Sequence, residues 1–331
     1  MAHNLNITNG KAAMFYSGER PWHGLGTQLD KPATAAEAIV AASLDWQVEP
    51  RFMQTVDGDN VEDFRAIIRL DTGDCLGVVG RGYAAIQNAQ AFGFFDAVVG
   101  SGGAHYHTAG ALGKGQQVWM LAQLPGILRV QRTDDTTEKF LLLANSHDGT
   151  SSLRMFFTPI RVVCQNTLNV ALRSSGHQQG VSIRHTGDIE SKVQEAQRAL
   201  GLAIRYYDDL EGLVNKLASV RIRSNTVARY FESIVPDNPD ALTHTRTENI
   251  RAAMLRNFDE GRGNQLPGIR GTLWAALNAV TEYVDHQRST TGETDIEVRG
   301  NRLASQWFGS GARMKAKAWN EAITLAHVSL N

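Results

Sequence analysis

Three short β-rich runs, Trp46 to Val56, Phe64 to Leu70 and Cys75 to Tyr83, are separated by Asp57-Gly58-Asp59-Asn60 and Asp71-Thr72-Gly73-Asp74. Asp, Asn and Gly tolerate the backbone angles of tight connections, so these clusters predict an antiparallel meander joined by hairpins. No other pattern in the chain constrains topology so directly. Thr34 followed by Glu37 has the spacing of a helix capping box before an apolar run. Asn88 opens a second helical pattern after the meander. The expected unit is therefore helix, three-stranded meander, helix.

A second antiparallel series is predicted over His105 to Leu112, Gln117 to Leu124, Phe140 to Ser146 and Ser152 to Phe157, with His147-Asp148-Gly149-Thr150 as a hairpin turn. Thr158 as N-cap and Pro159 at the first helical position predict a helix to about Arg173. After a short strand around Ile183, helical patterns dominate: Ile189 to Leu217, Asn225 to Ile234, Thr247 to Phe258, Ile269 to His286 and Ala312 to Val328. The fold class read from this order is α+β, an antiparallel sheet with packed helices followed by a mostly helical C-terminal region. The expected divisions are an N-terminal arm at 1–30, an α+β body at 31–175 and the helical region at 176–331.

No window approaches the roughly 18 apolar residues of a membrane helix, and the N-terminus lacks the pattern of a secretory signal, so no membrane partner and a cytoplasmic location are expected. Cys75 and Cys164 fall in a predicted strand and a predicted helix, and both read as buried small hydrophobes. The near-neutral total hides an uneven charge distribution. Residues 1–150 hold 11 Lys and Arg against 16 Asp and Glu, residues 151–229 hold 11 against 6, and residues 230–331 hold 11 against 12. Screening confines exposed charges to a local reach of about 10 Å, so the middle segment can attract phosphate whatever the net charge.

Candidate chemistry divides three ways. Gly110, Gly113 and Gly115 resemble part of a phosphate loop, but Lys114 is followed by Gly115 and Gln116 rather than by the Ser or Thr that would reach Mg²⁺. His105 and His107 alternate around Tyr106 and would share a strand face, with His147 and Asp148 as further metal-ligand candidates. Ser146-His147-Asp148 contains the residue types of a hydrolase triad, yet neighbours in sequence cannot converge as a triad must. The basic positions Arg154, Arg161, Arg173, Arg184, Lys192, Arg198, Arg221 and Arg223, near Phe156, Phe157, Tyr206 and Tyr207, could follow a phosphate backbone and stack bases.

Several segments resemble the phage/plasmid-like family built on domain of unknown function 932. They are Pro21-Trp-His-Gly-Leu-Gly-Thr27, Leu76-Gly-Val-Val-Gly-Arg-Gly-Tyr83 with Gln87-Asn88, Leu143-Ala-Asn-Ser-His-Asp-Gly149, Thr158-Pro-Ile-Arg-Val-Val-Cys-Gln-Asn-Thr167, Ile183-Arg-His-Thr186 and Asn278-Ala-Val-Thr-Glu-Tyr-Val-Asp-His286. The resemblance implies phage, plasmid or integrated-element context and no particular reaction. At the level of fold, the helix, meander, helix unit also looks like that of ring-forming single-strand annealing proteins. The expected function is thus oligomeric binding of single-stranded nucleic acid, DNA in the first instance, without a cofactor. The alternatives are a metal-dependent enzyme using the His/Asp set and a structural or anti-defence interaction module.

Overall fold

The computed structural model describes residues 6–8, 11–17, 26–30, 33–99, 105–131, 133–161, 166–167, 180–183, 207–237, 241–293 and 295–330. Its centre is a nine-stranded sheet built from β3 (Met14–Ser17), β4 (Thr27–Leu29), β8 (His105–Leu112), β9 (Gln117–Arg129), β10 (Thr136–Ser146), β11 (Leu153–Phe157), β12 (Ile160–Arg161), β13 (Asn166–Thr167) and β14 (Gly180–Ile183). The main path runs β13-β12-β10-β9-β8-β3-β4, antiparallel except for the parallel β3–β4 pair. β10 also pairs with β11, which in turn pairs with β14. One edge of β10 therefore serves β9 while the other is divided between β11 and β12. The two-residue strands β1 (Ile7–Thr8) and β2 (Lys11–Ala12) form a separate hairpin.

Alternation along β9 and β10 sends side chains to two covered faces. Val118, Met120, Ala122, Leu141 and Leu143 share one core with Ala38 and Ala42 of helix α1 (Ala35–Ala41) and its C-cap, and with Ala91 and Phe92 of helix α2 (Asn88–Val99). The predicted meander, β5 (Val48–Gln54), β6 (Asn60–Arg69) and β7 (Cys75–Gly80), joins that layer as a second sheet in the order β5-β6-β7. Trp119, Leu121, Phe140 and Leu142 point the other way, towards Leu303, Ala304 and Trp307 of helix α7 (Asp295–Trp307). Burial on both faces explains why these strands read as nearly continuous apolar runs.

The helical layer consists of helical residues 207–219 (α3), α4 (Ser224–Ile234), α5 (Ala241–Glu260), α6 (Leu273–Glu282), α7 and α8 (Ser310–Leu330). A five-residue π-helical segment, Tyr283–Gln287, continues α6. Trp274, Leu277, Tyr230, Phe231, Met254 and Trp319 form its core together with Leu128 of β9 and Val130 just beyond its end. No helix among the described residues is long and apolar enough to cross a membrane.

The chain has mixed α and β content with antiparallel sheets and a helical C-terminal region, as its sequence pattern indicates. The helix expected from Thr158 to Arg173 is corrected: residues 160–161 and 166–167 are paired strands instead. The free part of β10 accounts for the difference. Phe140 O accepts from Thr158 N at 2.9 Å, and Ile160 and Arg161 lie opposite Glu138 and Thr137, so the ladder supplies the backbone partners a helix would have supplied. Cys75 is exposed rather than buried, whereas Cys164 lies outside the described residues.

Candidate functional site

The segments Leu76–Tyr83 and Leu143–Gly149 meet in the structure and lock the meander to the large sheet. A Cβ at Gly77 would stand 2.6 Å from Asp148 Cα, and one at Gly149 2.7 Å from Val79 Cγ1. Gly149 also has φ of 75°, a left-handed conformation that favours glycine. Tyr83 donates its hydroxyl to Ser146 O at 2.7 Å. Burial, and secondarily the charge of Asp148, pushes that phenol well above its ordinary pKa, so Tyr83 is a fixed neutral donor. His147 is fully buried, with Nε2 2.9 Å from Asn88 Oδ1 and its ring edge-on to Trp46. Arg69 completes the joint: it is 3% exposed, binds Asp71 through Nε and NH2 at 2.7 and 2.9 Å, donates to Lys114 O at 2.8 Å and stacks on Trp46.

This geometry assigns the turn a packing role rather than a triad. Asp148 Oδ1 accepts from Ser146 Oγ, from Thr150 N at 2.9 Å and from Thr150 Oγ1 at 2.6 Å, which holds the turn closed. Asp148 also lines a pocket of about 580 Å³ whose other wall includes Asn301, Ser305, Phe308 and Ser310 at the α7–α8 junction. The glycines 113 and 115, with φ of 64° and 113°, sit in the β8–β9 hairpin as expected.

Among the described side chains, His107 and His147 do not come together. A β-bulge between Tyr106 and Thr108 interrupts the alternation that would have placed His105 and His107 together. His107 packs edge-on against Phe140, on the α7 side of the sheet, whereas His147 packs with Trp46 and Asn88 on the other side. His105 belongs to β8. Among the described residues no group of three or more His, Cys, Asp or Glu could hold a metal ion.

Of the basic positions, Arg154 is exposed on β11 opposite Ala144, and Arg161 belongs to β12. Arg173, Arg184, Lys192 and Arg198 lie outside the described residues, as does Tyr206. Arg221 and Arg223 are exposed on either side of Ile222, which packs on the helical core, so both point outward as their alternation predicts. A bridge between Arg221 and Thr272, with Ile222 N donating to Gly271 O at 3.0 Å, lays residues 220–223 antiparallel to 270–273. Arg221 NH1 donates to Arg270 O, which brings exposed Arg270 onto the same ledge. Sequence spacing gave no hint of Arg270, because the contact spans 49 residues. Arg223 is also the N-cap of α4, whose first turn carries neither an acidic residue nor a side-chain cap. The helix start and the arginines thus add fields of one sign. None of Arg154, Arg221, Arg223 and Arg270 forms an ion pair among the described residues.

The late segment Asn278–His286 is likewise built into the interior. Asp285, in the π-helical segment, binds Lys315 of α8 at 2.9 Å, with side-chain exposures of 0% and 1%. Burial lowers the Lys315 ammonium pKa, and the Asp285 charge works against that shift. Gln306 of α7 donates to Asp285 O at 2.6 Å, so one residue ties α6, α7 and α8.

Two proteins of Escherichia coli (strain K12), UPF0380 protein YfjQ and UPF0380 protein YafZ, are each 38% identical over 95 residues. Those residues are 28% of this chain and 33% of either relative, so the chain matches about a third of their length. No solved structure matches the chain. The profile described as Domain of unknown function (DUF932) matches residues 75–307, from the first residue of β7 to the last of α7, and the chain belongs to that family.

Proposed function

We propose that this protein binds single-stranded nucleic acid, DNA in the first instance, as an accessory to replication or recombination of phage or plasmid DNA in the cytoplasm. The observation that carries the reading is the ledge formed by Arg221, Arg223 and Arg270 at the uncapped start of α4, exposed and without carboxylate partners among the described residues. Guanidinium groups match phosphate geometry, and a helix N-terminus adds backbone donors for the same anion. Arg154 on β11 is a further exposed cation of the positive middle segment. Binding requires no cofactor in this reading, and oligomerisation would extend the track along a strand.

Anisotropy titration of an unstructured labelled oligonucleotide over a range of salt tests it. Binding should weaken steeply as salt rises, because each neutralised phosphate of a single strand adds about 0.7 to the slope of log K on log salt. R221A/R223A/R270A should reduce the slope by up to about 2 and weaken binding at least ~10-fold at low salt. An isotherm and slope identical to those of the unaltered protein would remove the proposal.

A further inference from the structure

The β5–β6 hairpin projects a surface that the fold leaves uncovered. Five of the large hydrophobic side chains exposed among the described residues, Phe52, Val56, Phe64, Leu70 and Val78, belong to the meander, and Phe52 is 79% exposed. The register sets Phe52 beside Arg65 on one face and Phe64 and Val78 on the other, so of these five only Phe52 and Val56 flank the hairpin end at 57–60. The end of the hairpin is also strongly acidic, because residues 54–63 contain Asp57, Asp59, Glu62 and Asp63 and no Lys or Arg. Only Asp63 of these four is in an ion pair among the described residues, with Arg81 at 3.6 Å. Asp57 and Asp59 do not hold the turn through their side chains. Thr55 N donates to Asp59 O, Gly58 N to Thr55 O and Asp59 N to Thr55 Oγ1, at 2.8, 3.0 and 3.1 Å. Pairing along the β5 edge is disfavoured by Pro50 at its centre, which removes a backbone donor. Arg65 lies 4.1 Å over the Phe52 ring and covers one side of it. What the hairpin offers is therefore its end, apolar at Val56 and the exposed remainder of Phe52, and negative at Asp57 and Asp59.

The complementary surface is already on the same molecule. Arg221, Arg223 and Arg270 present unpaired positive charge around half-buried Ile222. We infer that the hairpin end of one copy docks on the arginine ledge of a second copy, in a head-to-tail contact that competes with nucleic acid for the same guanidinium groups. The contact joins two different surfaces, so it propagates to a third copy and gives a ring or an open filament rather than a closed dimer. The inference rests on the ledge being an anion-binding surface, as proposed above, but it names a protein occupant and a means of control. Free chains would cover their own binding sites in trans, and an arriving strand would have to displace the hairpin.

Sedimentation of the full chain at low and high salt tests the contact, using D57K/D59K, R221E/R223E and the chain carrying all four changes. The unaltered protein should exceed monomer mass at low salt and return towards it as salt rises. Each charge reversal alone should sediment as monomer, while the four-fold variant, and an equimolar mixture of the two reversed proteins, should associate again. Phe52→Ser should weaken association without changing the charge. A monomer at every concentration and salt, or association unaffected by either reversal, would overturn the inference. Since D57K/D59K leaves the ledge intact, it should bind the oligonucleotide at least as tightly as the unaltered chain. Charge-reversible association in a protein that binds no oligonucleotide would sink the nucleic-acid reading and leave the docking contact standing.

Discussion

Lys315 and Asp285 are almost wholly withdrawn from water, and a pair in that position does not stabilise in proportion to its charge. Desolvating both ions offsets most of their attraction, whereas removing one partner leaves the other buried and uncompensated. Lys315→Ala should therefore destabilise the fold by about 3–5 kcal/mol in urea unfolding, while Lys315→Met with Asp285→Leu should lose much less. Equal losses in the two variants would argue against that account. His107 gives a pH signature. Burial holds its imidazole pKa below the ordinary value, so as pH falls the unfolded chain takes up the proton first. Stability should decline as pH falls through the ordinary imidazole value of about 6.5, by at most ~1.4 kcal/mol per pH unit for one proton, and level off below the folded pKa. His107→Gln should flatten that part of the profile in urea titrations at fixed ionic strength.

Local chemistry made several elements legible from sequence. Thr34 and Glu37 form the full capping box, the Asp/Gly clusters make the meander's turns, and the turn at 147–150 closes as expected. Failures arose where a distant partner decided the outcome. Pro159 and Thr158 suit a helix start, but the unpaired stretch of β10 made the extended form the better-bonded state. The bulge at His107 was hidden for the same reason, since a strand's own sequence does not show where its partner gains or loses a residue. Gly77 illustrates a position whose identity is set by contact rather than by backbone angle. Gly77→Ala would drive Cβ into the backbone of the 147–150 turn and should cost about 1–3 kcal/mol, whereas Gly80→Ala, with nothing within 4 Å, is the matched control in thermal or urea unfolding.

Among the described residues, the segments Leu76–Tyr83, Leu143–Gly149 and Asn278–His286 fall on joints: the meander joins the large sheet at Gly77, Tyr83 and Ser146, and three C-terminal helices meet at Asp285. Their residues look chemical when read in isolation, because Ser, His, Asp and Tyr bond backbones as readily as they bind substrates. The arginine ledge shows the opposite case. Arg221 and Arg223 were legible from their alternation around Ile222, but Arg270 arrives through tertiary pairing that no local pattern encodes. The ledge also sits in the helical layer, so its response to salt and to charge reversal can be read without disturbing the sheet.

Synthesis order gives the doubly covered sheet one more consequence. Trp119, Leu121, Phe140 and Leu142 leave the ribosome long before Leu303, Ala304 and Trp307 of the helix that shields them, about 160 residues later. At ordinary elongation rates of about 5–20 residues per second, that interval is roughly 10–30 s. Throughout it the growing chain carries a greasy flank that its covering helix has not yet reached, so productive expression should depend on how well the host's chaperones occupy that flank until translation reaches the helix.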